Sequence, residues 1–110
     1  MISSEEAFLI FDKWRSEGKL VYVWTVAPDG QRRRFQASFS EVLTTSRRLI
    51  LWAEREGGET VGVEVELGGA TFEYADTRET ADPDLAAMAW VCFLSAFLPD
   101  GGAMMFGEPK

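Results

Sequence analysis

Between Ser3 and Gly18 the apolar residues recur at helical spacing, with Ala7, Ile10, Phe11 and Trp14 three or four positions apart. Ser3 and Glu6 stand at capping-box separation and Gly18 can end the segment, which predicts a helix between them. Phe8 and Leu9 widen its apolar stripe. A stripe of that width predicts packing across a sheet or against a second chain.

From Lys19 the period changes to two. Leu20-Val21-Tyr22-Val23-Trp24-Thr25-Val26 is β-branched and aromatic, and Pro28-Asp29-Gly30 follows as a turn, so a strand enters a hairpin here. The return segment, Gln31 to Ser40, puts Phe35, Ala37 and Phe39 on one face and Arg32, Arg34, Gln36 and Ser38 on the other. Arg48 to Glu54 predicts a third strand, and Glu56-Gly57-Gly58-Glu59 turns into a fourth, Thr60 to Leu67. In that fourth strand Val61, Val63, Val65 and Leu67 face inward, while Glu64 and Glu66 face solvent. Gly68-Gly69 turns again, and Ala70 to Ala75 supplies a fifth strand.

Asp82-Pro83-Asp84 has the form of a helix start, which predicts a short helix from Pro83 to about Trp90. Val91 to Leu98 is apolar on both faces and stops at Pro99-Asp100-Gly101-Gly102, ahead of Ala103-Met104-Met105-Phe106. A Pro-Asp-Gly turn also closes the first hairpin, so a final hairpin is expected here; the alternative is a helix that continues to Leu98, which the spacing of Leu85, Met88, Ala89, Cys92, Phe93, Ala96 and Phe97 permits.

The expected fold is a single α+β domain over 1–110. It has an N-terminal helix, a curved antiparallel five-stranded meander or small barrel, and a C-terminal short helix and hairpin covering an edge or opening. The order of a helix and about five short strands over residues 4–76 resembles Sm-like small barrels, a family of ring-forming RNA binders. That family's Asp-x-hydrophobic-Asn base-reading loop is missing and the chain contains no asparagine, so no functional residue is carried across.

Composition adds that one core suffices. A chain of 110 residues, 46% hydrophobic and with four Trp, two Tyr and eight Phe, can fill its interior without disulfides or a structural metal. A lone cysteine forms no intrachain bridge, which fits a cytoplasmic protein. The acidic start, Met1-Ile2-Ser3-Ser4-Glu5-Glu6, and the lack of a long apolar run predict neither a signal peptide nor a membrane span. The net charge is −7 and is split, +2 over residues 1–50 and −9 over 51–110. The total disfavours nucleic acid and anionic lipid, and the split predicts that the two halves pair within one fold.

Histidine is absent, which removes most triads, most zinc sites and most Cys/His nucleophile designs. Cys92 lies in Trp90-Val91-Cys92-Phe93-Leu94, and such neighbours predict a buried, unreactive thiol. Asp76, Glu79, Asp82 and Asp84 lack calcium-loop spacing and suit capping and solubility better. Glu64 and Glu73, a conceivable acid pair for glycoside chemistry, fall on solvated strand faces rather than in a pocket that would raise a pKa. The glycine pairs match neither phosphate-loop nor dinucleotide spacing. No catalytic residue, metal or cofactor is expected.

Two binding surfaces are expected instead. Arg32-Arg33-Arg34, with Arg48 nearby and Trp24 flanking, offers guanidinium forks and an aromatic plane to an anion, with Arg32, Arg34, Arg48 and Trp24 as the contact residues. Cross-strand pairing of these arginines with Glu64, Glu66 and Glu73 is the competing use of the same charges, and the charge split favours it. Phe8 and Leu9 on the helix, with Met104, Met105 and Phe106 near the C-terminus, are the expected self-association residues. The expected function is a non-catalytic interaction module that forms a homodimer or symmetric oligomer. The alternative is a binder of a small anion or nucleic acid through the arginine row, and a carboxylate hydrolase ranks third.

Overall fold

In the computed structural model, residues 1–78, 83–86 and 90–110 are described. The N-terminal helix α1 (Ser4–Ser16) is closed by a capping box: the Ser3 hydroxyl accepts the Glu6 N–H at 3.1 Å, and the Glu6 carboxylate accepts the Ser3 N–H at 3.3 Å. Gly18, at φ +62, lets the chain leave the helix. Ala7, Phe11 and Trp14 are its buried face. Their spacing of four and three residues is the stripe that the periodicity requires.

Seven strands follow: β1 (Leu20–Val26), β2 (Arg32–Thr44), β3 (Arg48–Arg55), β4 (Thr60–Glu66), β5 (Thr71–Asp76), β6 (Trp90–Phe97) and β7 (Ala103–Pro109). All neighbouring strands are antiparallel, in the order β4-β3-β2-β1-β7-β6-β5. The class is α+β, but the expected five-stranded meander with a separate C-terminal helix and hairpin is corrected. β4 and β5, adjacent in sequence, are the two opposite edges of the sheet, and the β6–β7 hairpin is inserted between β1 and β5.

The insertion has a physical reason. β1, β6 and β7 are apolar on both faces, which suits central strands, whereas β4 alternates cleanly between valine and polar positions and suits an edge. Seven strands in this order do not reproduce the five-strand closure of an Sm-like barrel. Of the helix expected from Pro83 to about Trp90, the described residues show the turn α2 (Pro83–Ala86), and Trp90 already belongs to β6. The expected cap Asp82 and the continuation over 87–89 lie outside the described residues.

β2 also runs further than alternation suggested, to Thr44 rather than Ser40. A bulge between Phe39 and Glu41 resets its phase, so that Val42 returns to the buried face beside Leu51, and the Ser40 hydroxyl donates to the Trp52 carbonyl at 3.2 Å. Both Pro-Asp-Gly turns form as read. Gly30 and Gly101 have φ +90 and +93, and their N–H groups donate to Ala27 and Leu98 carbonyls at 2.9 and 3.1 Å.

α1 packs on one face of the sheet, chiefly over β2. Beneath it Phe11 meets Phe106 edge-on with ring centroids 4.8 Å apart, and Phe39 at 5.8 Å. Phe106 is therefore a core residue, wholly buried, and not a residue of the free surface expected for self-association. Ile2 donates its N–H to the Phe72 carbonyl at 2.9 Å and ties the start of the chain to the β5 edge. Among the described residues, no helix is long and apolar enough to cross a membrane.

Phe11 is the ring on which helix and sheet converge. Phe11→Ala should lower unfolding free energy by about 3–5 kcal/mol, through lost transfer energy and a cavity that three neighbouring rings cannot close. Urea denaturation of the two proteins checks it.

Candidate functional site

Strand alternation puts a second set of side chains on the face that α1 does not cover. Antiparallel pairing aligns them in rows across β2, β1, β7, β6 and β5. One row reads Arg34, Trp24, Met105, Ser95 and Glu73; on either side run Arg32, Val26, Ala103, Phe97 and Thr71, and Gln36, Tyr22, Gly107, Phe93 and Ala75. The middle of this face is apolar and its margins are polar.

An aromatic cluster organises it. Tyr22 and Trp24 stack at 5.9 Å between centroids, and Trp90 stands edge-on to both at 5.1 Å. Such pairs each contribute about 0.5–1.5 kcal/mol beyond area burial. Gly107 makes room for the cluster, because a Cβ there would lie 3.1 Å from the Trp90 ring and 3.5 Å from Trp24. The rings stay half-buried, and Phe97 is 44% exposed.

The arginine row divides. Arg32 and Arg34 lie on the uncovered face in register with Val26 and Trp24, whereas Arg33 is in register with Thr25 and points to the other face. All three arginines nevertheless border one open cavity of about 710 Å³, together with Trp24, Phe97 and Met105. Arg48 is not part of this group: it sits on β3 and forms ion pairs with Glu66 at 3.4 Å and Glu64 at 3.8 Å. The expected cross-strand pairing with Glu64 and Glu66 therefore forms at Arg48 and not at Arg32 or Arg34. Glu64 and Glu66 are two strands from β2, and Glu73 is on the β5 edge. Among the described residues, Arg32, Arg33 and Arg34 form no ion pair.

The expected self-association residues occupy three places. Leu9 is 64% exposed on the outer side of α1, while Phe8 and Met104 pack against the core beside the buried Phe106. Met105 alone lies on the uncovered sheet face, at the centre of its row. Sequence reasoning missed Tyr22, Trp90, Phe93, Phe97 and Glu73 as members of one surface. The signal was present in β1, where Tyr22 and Trp24 alternate with Val21 and Val23, so both faces of the strand need cover.

Under the C-terminal end of α1 lies a small polar niche. Cys92 is buried, with its Sγ 3.6 Å from a Glu108 carboxylate oxygen, and Lys19 reaches the other oxygen at 3.6 Å. The wholly apolar surroundings expected for this thiol are thus corrected on one side. Burial is the main cause pushing the thiol pKa up; a bond with Tyr74 opposes it and the Glu108 charge adds to it. Asp76 accepts from Arg78 at 2.7 Å, which holds its carboxyl below the usual range. Thr77 donates to the Trp90 and Val91 carbonyls. Among the described residues, no three Cys, Asp or Glu side chains converge on a possible metal position.

No protein-family model matches the chain, and no curated protein or solved structure shows significant similarity to it. For Cys92, a thiol reagent should label the native protein slowly even at about pH 8.5, where a free cysteine is half ionised, and the denatured protein quickly. Rapid stoichiometric labelling of the native form would contradict the enclosure of this thiol.

Proposed function

We propose that the protein is a non-catalytic interaction module that self-associates through the sheet face opposite α1. One observation carries this reading: Tyr22, Trp24, Trp90, Met105 and Phe97 share a face that α1 leaves half-exposed and that no other element among the described residues covers. Apolar contact area removed from water contributes about 25 cal/mol per Å², and an aromatic centre with a polar rim is the usual anatomy of a docking surface. Absence of histidine and the buried state of the one thiol weigh against acid-base and nucleophilic catalysis. A cytoplasmic location belongs to the same proposal, supported by that single unpaired thiol.

Light scattering on a concentration series tests the reading. The wild type should reach a dimer mass by about 100 µM, the affinity range of a small interface. Phe97→Lys should move the population towards monomer and leave the melting temperature nearly unchanged, because the residue is already largely exposed.

A second reading has its own support. Among the described residues Arg32 and Arg34 form no ion pair, and they flank Trp24 at the cavity, an arrangement suited to a small aromatic anion or a nucleotide. The net charge of −7 opposes polyanions, so heparin and oligonucleotide titrations should show no appreciable binding at physiological salt. Salt-sensitive binding that disappears in the Arg32→Ser/Arg34→Ser double variant would replace self-association by ligand binding.

A further inference from the structure

The row Arg34, Trp24, Met105, Ser95, Glu73 is complementary end to end. It has a cation at one end, an anion at the other, a large ring beside the cation, a small side chain beside the anion, and an unbranched thioether at the middle. Met105 is on β7, the third of the five strands, so the halves of the row are of equal length.

A two-fold axis along β7 turns a row of this kind onto itself with its ends exchanged. Arg34 of one copy then lies over Glu73 of the other, Trp24 over Ser95, and Met105 over Met105. The neighbouring rows follow the same operation, with Tyr22 over Phe93 and Val26 over Phe97. Charge meets opposite charge twice, and the bulkiest ring meets the smallest side chain of its row. An isologous contact needs this self-complementarity, and the axis along a strand lies within the roughly 30° at which twisted sheets stack.

Both charges are available for it. Among the described residues, neither Arg34 nor Glu73 forms an ion pair, and both are exposed. Within one chain they stand four strands apart, about 19 Å at ordinary strand spacing, too far to reach each other. We infer that two copies join face to face about a two-fold axis along β7, each Arg34 against the second copy's Glu73. This rests on the self-association reading above and specifies its partner and register.

Charge exchange tests the register separately from association. Arg34→Glu and Glu73→Arg should each weaken the dimer about tenfold or more, because each sets like charges together twice, and the double variant should return close to wild-type affinity. Sedimentation equilibrium between about 1 and 200 µM covers the range of such an interface. A dimer whose double variant is as weak as the weaker single variant overturns the register while self-association stands. A wild type that remains monomeric throughout overturns both. Crosslinking keeps the register falsifiable should a charge variant fail to fold: Met105→Cys, at the axis, should be joined in dimers by a short bismaleimide, and Thr60→Cys on the β4 edge should not. Equal crosslinking at the two positions contradicts the axis.

Discussion

Among the described residues, α1 is the one helix long enough to pack across the sheet, and the sheet is apolar on both sides. α1 has 13 residues and is about 20 Å long, while seven strands at ordinary spacing are about 29 Å across. It can cover part of one face only. Phe11 fixes which face, through its contacts with Phe39 and Phe106, and the phase of every strand follows from that choice because side chains alternate. Where a strand alternates apolar with charged residues, as β4 does, the other face is satisfied by water. Where both faces are apolar, as in β1, β6 and β7, the second face is left half-exposed with its aromatic rings packed on each other. The proposed function follows from that imbalance.

Much of the local structure was legible in the sequence. The capping box, the first four strand positions and both Pro-Asp-Gly turns depend on neighbours a few residues apart, and such signals survive in any tertiary context. The order of strands was not legible. Nothing local distinguishes a β5 that continues a meander from one that crosses to the far edge. The double-sided apolar runs at Val91–Leu98 and Leu20–Val26 were the relevant clue, because strands with two apolar faces belong side by side in the centre. The bulge at Ser40 hid the last turn of alternation in β2 for a different reason: one extra residue reverses the phase, and no residue type marks it uniquely.

The candidate site was partly visible. Trp24, Arg32 and Arg34 do share a face, as period two requires, and Arg33 borders their cavity from the alternate register, but Arg48 leaves the group for a reason that only pairing reveals. The expected pairing with Glu64 and Glu66 holds for Arg48 and not for Arg32 or Arg34: both glutamates take the arginine on the adjacent strand, since cross-strand ion pairs need neighbours in space. The charge split between the halves is thereby answered at β3 and β4, leaving Arg32 and Arg34 with positive charge to spare. Met104 and Met105 illustrate the same limit, adjacent in sequence and on opposite sides of the sheet.

The central claim is that the uncovered face becomes buried when copies meet. Hydroxyl-radical footprinting of dilute and concentrated protein, read residue by residue by mass spectrometry, addresses it without any substitution. Oxidation of Trp24, Trp90 and Met105 should fall together as concentration rises, while Leu9 on the outer side of α1 keeps a constant rate. A labelling pattern on this face that does not change with concentration, or protection confined to α1, would contradict the account.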